Sequence, residues 1–435
     1  MGRRSLETSS NALWTGREGA RKEGGRFAYG PLAAYVSRAV IARPESLAPP
    51  LARTPDEWAR VMTSLGGRAF HGRQVFKWLQ VRGVTDTRAM TDLPSALRTS
   101  LAGLGLGEVA KITLERRAPD DTRKLLVELA GGVTVETVLI PSVTRGTSDL
   151  PSPVQPMEDA DAAAADDEED EGEAETASAA VVRVTQCIST QVGCAMGCVF
   201  CASGVAGLKR HLGADEIVAQ VLVGRSRLDP NEQLRNVVYM GMGEPLHNYD
   251  AVARSLRLLT HPEGIGLSSR RVTVSTSGLI PEIARLGEDF AGQIGLAISL
   301  HAADDETRTR LMPINKKYPL AKLMDALRAY PLPKRRRITI EYTLVAGKND
   351  TVAEARKLVK LLRGLPVKVN LIPMNPIEAS TLGPPDLSGV LAFQQVLCDA
   401  GYSCFIRRRR GDEVAAACGQ LALLGAKPKV RVNRS

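Results

Sequence analysis

Three cysteines, Cys194, Cys198 and Cys201, stand four and three residues apart in the segment GCAMGCVFC. A structural zinc site takes four protein ligands, as a rule from two close pairs, and no second pair follows here. Three thiolates from one loop leave a metal position open for something else. A cubane [4Fe-4S] cluster held in this way has one open iron, and a zinc loop or a purely structural loop is the competing reading. The chain has seven cysteines, an odd number, four of them between 187 and 201. That crowding points to metal or redox chemistry in a reducing cytoplasm and not to a secreted disulfide framework.

The elements that must carry this loop are legible as alternating patterns. Apolar runs AVVRVTQCIS, LRNVVYMGMG, RRVTVSTSG, QIGLAISLHA, RRITIEYTLV and VKVNLIPMN are separated by stretches of helical period such as ADEIVAQVLVGRSRL and TVAEARKLVKLLRGL. Six such units predict an α/β fold, a partial (β/α)6 barrel over 181–424. Chemistry in such sheets sits at the C-terminal ends of the strands, and each run here ends in polar or glycine-rich residues: the cysteine loop, GMGEP, STSG, SLHA and MNP. Upstream, residues 54–107 read as a small helical domain and 108–141, with period-two alternation, as a short β meander leading into the barrel. Residues 1–53 read as a disordered basic extension, 142–180 as a disordered acidic insertion and 425–435 as a basic tail.

Composition is that of a soluble globular enzyme, with 44% hydrophobic and 24% charged residues and no apolar run of the ~18 residues a membrane span needs. The N-terminus has no apolar core of a secretory signal, Leu6 breaks the myristoylation pattern, and Glu7, Glu18 and Glu23 disfavour an organelle presequence. The net charge of +9 hides a division: residues 151–180 hold eleven acids and no base, so the remainder carries +20. The basic clusters PKRRR (333–337), FIRRRRG (405–411) and KPKVRVNRS (427–435) supply the surplus. Any one of them reads as a solvated face; their sum favours a polyanionic partner such as nucleic acid.

The CxxxCxxC pattern, with Phe200 before the last cysteine and a barrel-opening strand before the loop, resembles the radical S-adenosylmethionine superfamily. The ordered motifs VETVLIP, CISTQVGCAMGCVFC, YMGMGEPLHNYD, RRVTVSTSG, ISLHA, MPINKKY, IEYTLV, LIPMNP and RRRRGDEVAAACGQL narrow the resemblance, over 55–424 without the acidic stretch, to the RlmN/Cfr RNA methyltransferases, nearest their RlmN branch. The resemblance implies a [4Fe-4S] cluster on Cys194, Cys198 and Cys201. Its open iron would chelate S-adenosyl-L-methionine, with GMGEP set against the methionine amine. Cofactor contacts are implied for Gly243, Glu244, Ser275, Ser299, Leu300, His301 and Asn375.

For catalysis the resemblance implies Cys418 as methyl carrier, Cys187 as resolving cysteine, left in a disulfide with Cys418 after turnover, and Glu136 as proton acceptor. The implied reaction is methylation of adenosine carbon 2 in 23S rRNA and beside the tRNA anticodon, by a cytoplasmic monomer reduced by a donor such as flavodoxin or ferredoxin. A Cfr-like enzyme acting at carbon 8 uses the same cysteines, and spacing does not separate the two. A cluster-containing RNA-binding protein without methyl transfer would need neither Cys187 nor Cys418. Read alone, Cys418 is a small buried residue, Glu136 a cross-strand partner and His301 a core histidine. Cys398 and Cys404 match no catalytic motif and read as core or inert thiols, and His211 and His247 as structural.

Overall fold

The computed structural model describes residues 48–142 and 181–421, apart from 108, 378, 379, 408, 409, 412, 413 and 415. The acidic insertion, the basic tail and most of the basic extension expected above lie outside these residues. Residues 48–53 of that extension are described, and Leu51 and Ala52 there are buried.

Three helices come first: Pro55–Ser64 (α1), Ala69–Gln80 (α2) and Ser95–Ala102 (α3). α1 begins where it does because Thr54 and Glu57 cap it reciprocally. The Thr54 amide donates to Glu57 Oε2 at 2.7 Å and the Glu57 amide donates to Thr54 Oγ1 at 3.3 Å, while Pro55 at the first position has no donor to satisfy. Trp58, Val61 and Met62 of α1 and Val75, Phe76 and Leu79 of α2 recur at helical spacing and are all buried. Gln80 fastens this layer to the rest of the molecule: its Nε2 donates to Leu51 O at 2.7 Å, and its carbonyl accepts from Arg225 Nη1 at 3.2 Å.

Ala110–Arg117 (β1), Arg123–Leu129 (β2) and Thr134–Pro141 (β3) form an antiparallel meander. Val182–Cys187 (β4) follows, then a two-residue hairpin of Gln191–Val192 (β5) and Arg210–His211 (β6), with the short helix Ala202–Ala206 (α4) between its strands. From Ala214–Arg225 (α5) the order is Glu232–Tyr239 (β7), Tyr249–Leu259 (α6), Val272–Thr276 (β8), Ile280–Phe290 (α7) and Gly295–Ser299 (β9). Asp305–Leu311 (α8), Leu320–Ala329 (α9), Ile338–Leu344 (β10), Val352–Leu361 (α10), Val367–Pro373 (β11), Leu387–Asp399 (α11) and Cys404–Ile406 (β12) complete it.

Outside the hairpin, ten strands make one sheet in the order β1-β2-β3-β4-β7-β8-β9-β10-β11-β12. The strands from β4 to β12 run parallel. The six expected barrel strands are β4, β7, β8, β9, β10 and β11. A seventh, β12, is only three residues long, too short for its periodicity to register in sequence. The meander is continuous with the barrel sheet, because β3 pairs antiparallel with β4 and sets Val138 opposite Cys187.

The register sorts the side chains. Opposed residues share a face, and the pairs Val138↔Cys187, Ile140↔Thr185, Thr185↔Asn236, Ser299↔Glu341 and Glu341↔Asn370 carry one face across the sheet. That inner face is polar, with Glu136, Cys187, Ser275 and Ser299 on it. The opposite face carries Val237, Tyr239, Val274, Ile298, Ile340, Tyr342, Val369 and Leu371, all buried. Runs such as VTVST and ITIEYTL alternate because one face packs on apolar helices and the other encloses a polar lumen.

Candidate active site

The cysteine loop lies between β5 and α4, and Cys194 is 8% exposed. Gly204 lets α4 lie directly on the loop: a Cβ there would stand 2.8 Å from Cys198 N and 2.9 Å from Cys198 O. Burial pushes the Cys194 thiol up to about 12 and raises Cys198 and Cys201 as well, and each of the three is raised further by a neighbouring cysteine. Three thiols that resist ionisation and repel one another as anions are a site that a cation completes. Among the described residues no group of three or more His, Cys, Asp and Glu is close enough to hold one metal ion. A mononuclear tetrahedral thiolate site, with metal–sulfur bonds of about 2.3 Å, would bring its sulfurs within about 4 Å of one another. A cubane binds each cysteine through a different iron, and three thiols from one loop are the number that leaves its fourth iron open.

GMGEP follows β7 and is locked to the cysteine loop by Gln191. Glu244 N donates to Gln191 Oε1 at 2.9 Å, and Gly243, at φ +106, admits no side chain because its Cβ would lie 2.6 Å from Gln191 Cβ. The same Gln191 reaches outward, its Nε2 standing 3.1 Å from His211 Nδ1 and 3.2 Å from His247 Nδ1. Glu244 is buried, which raises its carboxyl, and it accepts from Leu246 N at 3.1 Å and Ser277 N at 2.7 Å. It thereby ties the end of β7 to the end of β8. Ser275 and Ser299 meet at 3.4 Å between their hydroxyls, and Leu300, fully buried, donates its amide to Glu341 O at 3.0 Å.

His301 has a left-handed backbone, φ +56, held by Asn349, whose Nδ2 donates to His301 O at 2.7 Å. His301 Nδ1 accepts from Thr343 N at 2.9 Å, so the neutral ring carries its proton on Nε2. Burial, reinforced by Arg308, pushes this imidazole down to about 3. Its ring packs edge-on to Phe200 of the cysteine loop, centroids 4.8 Å apart. Asn375 donates Nδ2 to Cys418 O at 2.9 Å. Asn375 Oδ1 is buried and without a hydrogen-bond partner among the described residues. This orphaned oxygen at the end of β11 fits a polar ligand such as S-adenosylmethionine lying across the rim.

The C-terminal segment is laid against the same loop. Ala202 N donates to Gly419 O at 2.8 Å and Ser203 Oγ donates to Leu421 O at 2.6 Å. Cys418 lines a cavity with Thr122, Ile140, Asn375, Arg407 and Arg410. Burial and the adjacent Cys418 push the Cys187 thiol up to about 12, with Arg407 opposing; both cysteines are free thiols. Glu136, 1% exposed, lies on the face of β3 that Cys187 shares on β4, and Lys124 Nζ stands 3.0 Å from its Oε1. The structure thus brings Cys187, Cys418, the cysteine loop and the four other strand-end motifs to one rim, with Glu136 on the adjoining strand. Of the remaining cysteines, Cys404 is buried and Cys398 exposed.

Sequence reasoning did not single out Lys124, Gln191, Arg308, Asn349 or Arg407. Lys124 and Arg407 stand in ordinary strand or basic contexts, and only the fold brings them to the site. Gln191 and Asn349 carry a usable signal, an amide beside a glycine-rich motif or strand end.

The chain has known relatives. A model of the radical SAM superfamily matches residues 188–362, and one of the ribosomal RNA large subunit methyltransferase N-terminal domain matches 53–105. The dual-specificity RNA methyltransferase RlmN of Sorangium cellulosum is 71% identical over 384 residues, covering 88% of this chain and 97% of that protein. That of Geobacter sulfurreducens is 43% identical, covering 84% of this chain and 89% of the relative. A crystal structure of a radical SAM methyltransferase from Sphaerobacter thermophilus superposes with a TM-score of 0.73 at 38% identity, over 86% of this chain and 99% of that one. With a relative 71% identical over nearly its whole length and both family segments matched, this chain belongs to the RlmN family of radical SAM RNA methyltransferases, enzymes that use a [4Fe-4S] cluster and S-adenosylmethionine.

Proposed function

We propose that this enzyme methylates carbon 2 of adenosine in the peptidyl-transferase loop of 23S rRNA and of the adenosine beside the tRNA anticodon, through an S-methylated Cys418. The observation that carries the reading is the meeting of Cys187 and Cys418, from the first barrel strand and the C-terminal segment, beside the cysteine loop. The dual-specificity RNA methyltransferase name of relatives at 71% and 43% identity supports both RNA targets.

When bound, the cluster and S-adenosylmethionine supply the methyl group and the radical that activates it. The residues then divide the work. Cys418 Sγ, at the cavity, takes the methyl group and presents it to the adenine ring, where a C–S–CH2–C2 link joins protein to RNA. Glu136 accepts the C2 proton as the adduct gives up one electron, for which the bound cluster would be the acceptor. Cys187 Sγ, as thiolate, attacks Cys418 Sγ; the C–S bond breaks, its electron pair goes to the carbon, which takes a proton to become the methyl group, and a Cys187–Cys418 disulfide remains for reduction. The buried thiol of Cys187 is held protonated by its surroundings, so its attack is coupled to loss of that proton, and Arg407 favours the anion. Asn375 fixes the Cys418 backbone during both roles. The family resemblance further supports a cytoplasmic monomer reduced by flavodoxin or ferredoxin.

Mass spectrometry of 23S rRNA and tRNA from cells with and without the gene tests the assignment. Loss of 2-methyladenosine from both RNAs is expected; loss of 8-methyladenosine instead would identify carbon 8 as the target and overturn it.

A further inference from the structure

Arg308 of α8 is fully buried, and the acceptors of its guanidinium are neutral. Nε donates to Leu300 O at 3.0 Å, Nη1 to Asn315 Oδ1 at 2.8 Å and Nη2 to Ser277 O at 2.7 Å, with longer contacts to Ser299 O at 3.3 Å and Tyr318 O at 3.5 Å. Among the described residues no carboxylate forms an ion pair with it. Asp305, on the same helix, reaches the guanidinium only through Asn315: its Oδ1 accepts from Asn315 Nδ2 at 2.9 Å and Leu320 N at 2.8 Å.

A buried cation without a counter-ion costs several kcal/mol, so the location of the opposing charge decides what this residue does. α8 abuts the cysteine loop: Leu311 O, three residues beyond Arg308, accepts from Val199 N at 3.1 Å, and burial lowers the guanidinium to about 10 with Cys198 the first group opposing that fall. The carbonyls Arg308 holds, Ser277, Ser299 and Leu300, belong to the strand ends after β8 and β9 that face the cofactor.

We propose that Arg308 is a positioning residue whose charge balances the three cluster thiolates and raises the reduction potential of the cluster, while its hydrogen bonds tie the two strand ends of the cofactor rim to α8, the helix that abuts the cysteine loop. The inference rests on the cluster assignment made above. A fixed positive charge at low local dielectric stabilises the more negative, reduced form.

The test is a potentiometric titration of the reconstituted cluster followed by electron paramagnetic resonance, without RNA. In Arg308→Gln, which loses the charge, the ratio of reduced to oxidised cluster at fixed potential should fall at least tenfold, a one-electron shift of about 59 mV. Arg308→Lys keeps the charge and loses the fork, and should stay within threefold of the parent while binding S-adenosylmethionine more weakly. A threefold or smaller shift in R308Q with unchanged iron content and circular dichroism would overturn the proposal, as would an equal shift in both variants. If R308Q folds without iron and R308K retains it, the charge role stands; if both lose iron alike, Arg308 is only a structural clamp. A parent protein that holds no [4Fe-4S] cluster would instead overturn the cofactor assignment, which separates the two failures.

Discussion

His301 offers a measurable proton linkage. Its imidazole is held at about 3 in the folded protein against 6.5 ordinarily. For a base whose folded value is depressed, the unfolded chain binds the extra proton, so stability is fully present above the unfolded value and is lost as pH falls below it. Between pH 7.5 and 5.5 the loss follows RT ln of the ratio of unfolded-state binding polynomials, about a factor of ten, or about 1.4 kcal/mol. His301→Asn is the matched perturbation. Asn Oδ1 occupies the place of Nδ1 and can accept from Thr343 N, and asparagine tolerates the left-handed backbone. Urea unfolding of the anaerobic holoprotein and of H301N at both pH values cancels the other titrating groups. The parent should lose about 1.4 kcal/mol more than the variant over this interval. Equal losses would refute the claim that a neutral, buried His301 is part of the folded rim.

Cys198→Ala should reconstitute anaerobically with none of the iron and none of the visible absorption of the parent; stoichiometric zinc in the parent with no iron would count against a cluster. Glu136→Gln should retain the S-methyl mark on Cys418 by intact mass yet slow transfer to RNA by roughly 100-fold or more, and an undiminished transfer rate would remove it as proton acceptor. Cys187→Ala should accumulate a covalent protein–RNA adduct through Cys418, whereas free unmodified RNA with no adduct would remove the resolving role. Pro141, the last residue of β3, accepts from Arg410 at the Cys418 cavity, and the acidic stretch 151–180 begins ten residues further along the sequence. Deleting 151–178 should tighten RNA binding at low salt, with the gain shrinking as salt rises; equal affinities would refute competition by the insertion.

What sequence revealed here was what repeats locally. The cysteine spacing, the alternation of β8 and β10 and the polar strand ends are short-range patterns, and they suffice for the barrel and most of the rim. Pairings across long stretches of chain are not encoded in that way. Val138 opposite Cys187 joins the meander to the barrel across the insertion, and no pattern within either strand names its partner. The same holds for Lys124 at Glu136 and for Arg308, whose five acceptors come from three separate loops. β12 escaped because three residues establish no period. The polarity of the lumen was visible in VTVST and ITIEYTL, but only the register shows that Ser275, Ser299 and Glu341 are on the same side.

The strap of Gly419 and Leu421 across Ala202 and Ser203 sets an order of events during synthesis. Cys418 follows Cys201 by 217 residues, so at ribosomal speed the cysteine loop leaves the tunnel on the order of 10–40 s before the segment that covers it. Throughout that interval the loop stays uncovered by this segment. Iron and sulfide therefore have an open route to the three thiols in the nascent chain, and Gly419 and Leu421 arrive to close it. A chain released early would hold a cluster with no methyl carrier over it, a radical source without its intended target.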